Sequence, residues 1–174
     1  RGFAGKWSHH EQSLRVPLVI YDPRLPEELR GRTVDTTALN LDLPPTFLDW
    51  AGVPVPASYQ GASLKPVIEG VPKPKGWRED FFCEHFNSRY SMSWEGVRGQ
   101  RFKYARYVDQ EPAFEYLHDL QNDPDELINL AGTAQHLTLL KQMRQRTDAL
   151  AEDYAKALTA PVSPSPDPGT SDAN

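Results

Sequence analysis

Four short runs between residues 80 and 120 combine many aromatic side chains with alternating apolar and polar positions. They read DFFCEHF, SMSWEGVRG, RFKYARYV and FEYLHDL. A period of two with aromatic enrichment is typical of strands that bury one face. The Gly99-Gln100 pair between the second and third runs predicts a hairpin turn. The pattern therefore predicts an antiparallel sheet in this part of the chain.

A helical period follows the predicted sheet. Over residues 134–158 apolar positions recur every three or four residues, at Leu140, Met143, Thr147, Leu150, Tyr154 and Leu158. This spacing predicts one long helix with a single apolar face. The preceding stretch NDPDELINLAG is predicted to be a turn leading into a short helical piece that Gly132 closes. Residues 160–174 are rich in Pro and Ser and contain no core-forming side chains, which predicts a disordered tail.

The first half of the chain has shorter patterns. Residues 16–20, VPLVI, are a continuous apolar run and predict a strand buried on both faces. The stretch LDLPPTFLDWAGVPVP predicts a second helix, because prolines suit its first turn and Gly52 suits its end. Phe47, Leu48 and Ala51 would form the buried stripe of that helix.

Composition narrows the class of protein. The 174 residues suffice for one domain with a core, and 19 basic against 24 acidic side chains give a net charge of −5. This balance argues against a general nucleic-acid partner, and no apolar run is long enough to predict a membrane partner. The single cysteine, Cys83, excludes an internal disulfide and a cysteine-rich zinc site.

The stretch GKWSHHEQSLRVPLVI contains the most informative lysine, Lys6. A compact ammonium suits the neutralisation of a small tetrahedral oxyanion. The stretch resembles the Gly-Lys…Glu…Arg-Val-Pro segment of the type I sulfatases, in the alkaline phosphatase superfamily. Four further blocks resemble that family in its own order: NLDLPPTFLDWAGVPVP, YQGASLKPVI, GVRGQRFKYARY and EYLHDLQNDPDELINLAG.

The resemblance implies an α/β fold, which is α+β within this chain. Residues 1–76 would be the end of the alkaline-phosphatase-like α/β catalytic domain. Residues 77–159 would form a small C-terminal domain, an antiparallel sheet with a packed helix, before the tail at 160–174. In this family Lys6 would contact the substrate sulfate, and a periplasmic or secreted location would be favoured.

The rest of the family's catalytic machinery has no counterpart here. The resemblance implies a formylglycine nucleophile, made from a Cys or Ser in a Cys/Ser-x-Pro-Ser-Arg motif, and a calcium ion held by Asp and Asn residues. No such motif occurs, and Cys83 lies in FFCEHF, where a buried strand thiol is expected. Both elements would lie upstream, so the sequence is expected to be the C-terminal part of a sulfatase, inactive alone, with the N-terminal part as its partner.

Other polar residues are candidates for substrate contacts. His9 and His10 lie close to Lys6 and could line its pocket. On a strand they would face opposite ways and could not easily share a metal. Glu11 could accept a structural hydrogen bond from Arg15 or bind sugar hydroxyls. Glu84 and His85 could hold sugar hydroxyls at a strand end, or could simply pair with neighbouring groups.

A basic hairpin, made of Arg98, Arg101, Lys103 and Arg106, could meet a polyanionic glycan or be a solvated face. The favoured function is hydrolysis of sulfate esters, with a sulfated small molecule or glycan as substrate. A phosphonate or phosphodiester hydrolase of the same superfamily is the first alternative. A non-catalytic carbohydrate-binding module is the second.

Overall fold

A computed structural model describes residues 6–71, 74–86 and 93–159 of the chain. Its centre is a four-stranded antiparallel sheet in the simple order β1-β2-β3-β4. The strands are β1 (Asp80–His85), β2 (Trp94–Gly99), β3 (Phe102–Tyr107) and β4 (Phe114–Asp119). The predicted sheet and the turn at Gly99-Gln100 are therefore confirmed.

The predicted long helix is also present, as α4 (Leu137–Thr159), preceded by the 3₁₀ turn Ala134–His136. It packs on one face of the sheet, where the core consists of Val97, Tyr104, Leu117, Leu140 and Leu150. Strand side chains alternate between faces, so the residues next to these, such as Lys103 and His118, lie on the opposite face.

The apolar stripe of α4 is shorter than predicted. Met143 and Tyr154 are partly buried against the core, and the Tyr154 ring lies 5.8 Å from that of Phe82. Leu158 is 81% exposed. The stripe that packs on the core therefore ends at Tyr154.

The remaining helices are short. They are α1 (Glu11–Leu14), α2 (Leu43–Trp50) and α3 (Lys65–Ile68), with 3₁₀ turns at Glu27–Leu29 and Asn40–Asp42. The predicted bounds of α2 are confirmed: it starts with prolines, and Gly52 follows its end with a φ of +69° that suits glycine.

The predicted buried stripe of α2 is wrong. Phe47 is 60% exposed and Ala51 is exposed, whereas Thr46 is buried. The reason is a hydrogen-bond network: the Thr46 hydroxyl donates to the Asp42 carbonyl at 2.6 Å and accepts the Leu64 N–H at 2.8 Å. A backbone carbonyl just before α2 and a backbone N–H after it therefore select the buried face of α2.

Two other predictions are wrong. Residues 16–20 form no strand and are largely solvent-accessible, with Val19 at 90% exposure, because no strand among the described residues pairs with them. The stretch before Gly132 forms no helix, because its polar groups bond elsewhere. The Asn129 side chain accepts the Leu117 N–H, and Leu130 N–H donates to the Leu117 carbonyl, so this stretch continues the hydrogen bonding of β4.

The chain divides into two compact units. Among the described residues, one contains residues 6–22 together with Arg78–Tyr154, and the other contains Pro23–Trp77 and residues 155–159. Residues 6–22 are thus grouped with the sheet. The assignment of residues 1–76 to a catalytic domain stays a prediction, and the predicted tail at 160–174 lies outside the described residues. No described helix is both long and apolar enough to cross a membrane.

Candidate functional site

The segment of residues 6–14 contacts the face of the sheet that α4 leaves open; we call it the N-terminal segment. The Trp94 indole N–H donates to the Trp7 carbonyl at 2.8 Å. The Trp7 ring lies 6.4 Å from the ring of His85 in a stacked arrangement. Lys6, which precedes Trp7, is exposed. The site is therefore a solvent-facing lysine next to a firmly anchored tryptophan.

His9 is the central anchor of the N-terminal segment, with only 1% of its surface exposed. Its Nδ1 lies 3.1 Å from the Tyr107 hydroxyl, and its Nε2 lies 3.1 Å from Nε2 of His118. His118 Nδ1 lies 3.1 Å from the Ile128 carbonyl, which can only accept. His118 therefore donates from Nδ1 and accepts at Nε2, so His9 donates from Nε2 and Tyr107 donates to His9 Nδ1.

Both buried imidazoles are held in the neutral form. Burial, followed by the neighbouring His10, Lys103 and His118, lowers the pKa of His9 to about 2. Burial also lowers the pKa of His118, although the carboxylate of Glu126 acts in the opposite direction. Neutral rings match the directed chain of hydrogen bonds, since each nitrogen has a defined role as donor or acceptor.

His10 does not point away from His9, so the expectation drawn from strand geometry is wrong. Residues 8–10 form a bend before α1, and the two imidazole centroids are only 4.2 Å apart. One ring nitrogen from each of His9, His10 and His118 lies within 4.8 Å of the others. His10 is the partly exposed member of this group, which we call the histidine trio.

Glu11 is bound to the sheet rather than to Arg15. Its carboxylate accepts hydrogen bonds from Lys103 at 3.1 Å and from Arg98 at 3.2 Å, and its own N–H donates to Glu126 at 2.6 Å. Burial alone would raise the pKa of Glu11, but the hydrogen bond from Arg98 and the charge of Lys103 hold it below its usual value. The structural interpretation of Glu11 is supported, with different partners.

The basic hairpin is not a free cationic face. Lys103 is completely buried and forms ion pairs with Glu11 and Glu126. The other three members also pair with carboxylates: Arg98 with Glu11, Arg101 with Asp119, and Arg106 with Glu95 and Asp148. Lys103 is therefore not a surface cation, whereas the Arg101 side chain is half exposed.

Glu84 and His85 alternate along β1 and therefore project to opposite faces of the sheet. His85 is on the face of the N-terminal segment, and its buried Nε2 has no hydrogen-bond partner among the described residues. Glu84 is exposed on the other face. Cys83 is half-buried, and burial raises the pKa of its thiol to about 12, as expected of an unreactive strand cysteine.

The sequence pattern does not identify three residues that hold the N-terminal segment: Tyr107 and His118 in the sheet, and Glu126 after β4. It places the fourth, Lys103, in the basic hairpin without its partners. Lys103 and His118 are direct partners across β3 and β4. The available signal was the presence of polar residues on a face whose other positions, such as Trp94 and Tyr107, are large aromatics.

Comparison with known proteins identifies the family. Residues 1–153 match the family model described as N-sulphoglucosamine sulphohydrolase, C-terminal. The chain belongs to this sulfatase family. The match confirms the resemblance of the five sequence blocks to sulfatases of the alkaline phosphatase superfamily.

Individual relatives agree with this membership. The chain is 34% identical over 158 residues to an N-acetylglucosamine-6-O-sulfatase of Bacteroides thetaiotaomicron, covering 88% of this chain and 28% of that protein. It is 32% identical to arylsulfatase K of Xenopus laevis, covering 73% and 24%. The chain thus spans about a quarter of the length of these curated relatives.

Solved structures show the same fold. One, a protein in complex with its substrate D-glucosamine-2-N,6-O-disulfate, matches with a TM-score of 0.66 at 32% identity, over 72% of this chain and 26% of the other. The phosphonate monoester hydrolase of Agrobacterium radiobacter matches with a TM-score of 0.53 at 26% identity, over 65% and 24%. The sheet with its packed helix therefore belongs to the sulfatase fold.

Proposed function

We propose that this chain is the C-terminal part of an enzyme that hydrolyses sulfate esters of carbohydrates. In this proposal the ammonium of Lys6 contacts the sulfate group. Support comes from the family membership and from relatives whose names specify sulfated amino sugars. The partner would be the N-terminal part of the same enzyme, which would supply the remaining three quarters of the active protein.

The observation that carries the proposal is the contrast between Lys6 and the residues that follow it. Trp7, His9 and Glu11 are all bonded to the sheet, whereas the Lys6 side chain is solvent-facing. A preorganised cation loses less entropy when it binds an oxyanion than a cation on a mobile chain. The anchors of the N-terminal segment therefore serve to hold Lys6 in place.

The candidate sugar-binding residues now divide into three groups. His10 and His85 lie on the Lys6 face, and we propose that they contact substrate hydroxyls. His9 is too deeply buried to touch a substrate and acts as a positioning residue. Glu84 faces the other side of the sheet, so it does not enter the proposed site.

Calcium and formylglycine, which sulfatases use, do not fit the residues of this chain. In the described ranges, the group able to hold a metal ion is the histidine trio, whose ligands are nitrogen atoms. Calcium takes oxygen ligands. Cys83 is inside a strand and outside any formylglycine motif. We propose that both groups reside in the upstream part of the enzyme.

The experiment uses the full-length protein that contains this chain, with 6-O-sulfated N-acetylglucosamine as substrate. Lys6→Ala should lower kcat/KM by about a hundredfold or more, as expected when one preorganised oxyanion donor is lost. Lys6→Arg should not restore full activity, because a planar guanidinium does not replace a compact ammonium. Lys141→Ala, at an exposed position of α4, is the matched control and should leave kcat/KM unchanged.

Thermal melting of each variant separates catalytic loss from unfolding. Near-normal kcat/KM in Lys6→Ala with an unchanged melt would refute the sulfate contact. The similarity to a phosphonate monoester hydrolase provides a second candidate function. Preference of the full-length protein for a phosphonate monoester over the sulfated sugar would favour that candidate and refute sulfatase activity. Sulfate hydrolysis by the 174-residue chain alone would contradict an upstream nucleophile.

A further inference from the structure

We propose that the histidine trio, His9, His10 and His118, is a binding site for a zinc ion. The first argument is the separation of the ligand atoms. His9 Nε2 and His118 Nε2 are 3.1 Å apart, and one ring nitrogen from each of the three histidines lies within 4.8 Å of the other two. Zinc–nitrogen bonds of about 2.0–2.1 Å in a tetrahedron place neighbouring ligand atoms about 3.3–3.4 Å apart. Small ring movements therefore bring the three nitrogens to coordination distance.

The second argument is the orientation of the two buried rings. Metal-binding imidazoles usually donate their other ring N–H to a carbonyl or another acceptor, which fixes the free nitrogen towards the metal. His118 has this arrangement, because Nδ1 donates to the Ile128 carbonyl and Nε2 keeps its lone pair. His9 needs only a change of tautomer: its proton moves from Nε2 to Nδ1, and the Tyr107 hydroxyl then accepts instead of donating. His9 remains neutral throughout.

The third argument is the choice of ligand. Imidazole nitrogens suit zinc, copper and nickel, whereas calcium and magnesium require oxygen ligands. Three histidines also leave one tetrahedral position for water, as in three-histidine zinc sites. His10 is partly exposed and so provides the route by which the ion reaches the buried pair.

The local charges permit a cation at this position. Lys103 is close enough to depress the pKa of both His9 and His118, and it would repel a metal ion. Its ammonium is, however, paired with the two carboxylates of Glu11 and Glu126, and Arg98 pairs with Glu11. These two cations and two anions cancel, so the trio faces no excess positive charge. No catalytic step uses this ion, but the ion and the substrate hydroxyl proposed above would compete for the His10 ring.

The test is isothermal titration calorimetry of the 174-residue chain with zinc chloride at neutral pH, after removal of metals with a chelator. We expect one equivalent of zinc to bind, and no heat from calcium chloride at the same concentrations. His10→Ala removes the exposed ligand without altering the buried pair and should weaken binding at least tenfold. Tyr107→Phe removes the acceptor for His9 Nδ1–H and should weaken binding by about 10–100-fold.

His136→Ala is the matched control, because His136 lies in the 3₁₀ turn before α4, outside the trio, and it should bind zinc like the parent chain. His118→Gln should abolish binding; if that variant unfolds, His10→Ala and Tyr107→Phe still decide the question. Absence of zinc binding by the parent, or equal affinity in His10→Ala and the parent, would overturn the proposal. Calcium binding that depends on His10 would overturn it as well.

Discussion

Replacing Lys103 by Met should destabilise the chain more than any change at an exposed lysine. The Lys103 ammonium is completely buried between the carboxylates of Glu11 and Glu126. Removing one partner of a buried ion pair typically costs about 3–5 kcal/mol, because the other charge remains buried without compensation. Methionine has a similar length, so the loss of packing is small.

Glu11 and Glu126 would respond differently to the loss of the Lys103 ammonium. Glu11 would keep the hydrogen bond from Arg98. Among the described residues, Glu126 would keep the N–H of Glu11 as its hydrogen-bond donor, and its side chain is completely buried. One carboxylate is therefore left without a cation, and we expect a loss of about 4 kcal/mol in the free energy of unfolding. With a slope of about 2 kcal/mol per molar urea, the unfolding midpoint falls by about 2 M.

Urea unfolding monitored by tryptophan fluorescence measures this loss, because Trp94 anchors the N-terminal segment on the same face. The double variant Lys103→Met/Glu126→Gln should be more stable than Lys103→Met alone, since it removes the uncompensated charge and keeps an acceptor for the Glu11 N–H. Lys141→Met, on the exposed surface of α4, should change stability by less than about 0.5 kcal/mol. A loss below about 1 kcal/mol in Lys103→Met, or a double variant no more stable than the single one, would refute the reasoning.

Two other predictions follow from the sheet. Arg101 lowers the pKa of Asp119 from 3.8 to about 2. The stability that the Asp119 carboxylate contributes is therefore complete above a pH of about 4 and is lost as the pH falls from about 4 to 2. Acid unfolding should be shallower in that window for Asp119→Asn, and an identical acid profile would contradict this. A Cβ at Gly96 would lie 2.1 Å from the Tyr104 carbonyl oxygen. Gly96→Ala should therefore lower the free energy of unfolding by about 1–3 kcal/mol or more, measured by thermal melting. Gly132→Ala is the control and should not destabilise the chain, because the space around its Cβ is open.

The sheet and α4 were predictable because their patterns are local. Each strand of the sheet pairs with the next one along the chain, so alternation within a run and the turn at Gly99-Gln100 suffice to define the pairing. The stripe from Leu140 to Tyr154 is equally a property of one continuous segment. The failed predictions depended on partners elsewhere: residues 16–20 have no pairing strand in the described part, and the stretch around Asn129 bonds to β4.

The sequence identifies some residues of the candidate site but not their partners. The sequence singled out Lys6, His9, His10 and Glu11, because these residues stand in a motif that resembles a known family. It did not single out His118 or Glu126, which lie 109 and 115 residues away from the residues that they bond. A period-two pattern assigns such positions to a polar face. It carries no information about which distant segment covers that face.

The simple strand order has a consequence for the order in which the protein assembles. Strands β1 to β4 can associate by closing short loops, and the entropy cost of such closures is small. The contacts of His9, Glu11 and Trp7 close loops of about a hundred residues, so their formation is slower. During synthesis these residues leave the ribosome before the strands to which they bond. The lysine proposed to contact sulfate would therefore be fixed in position only after the whole sheet has been made.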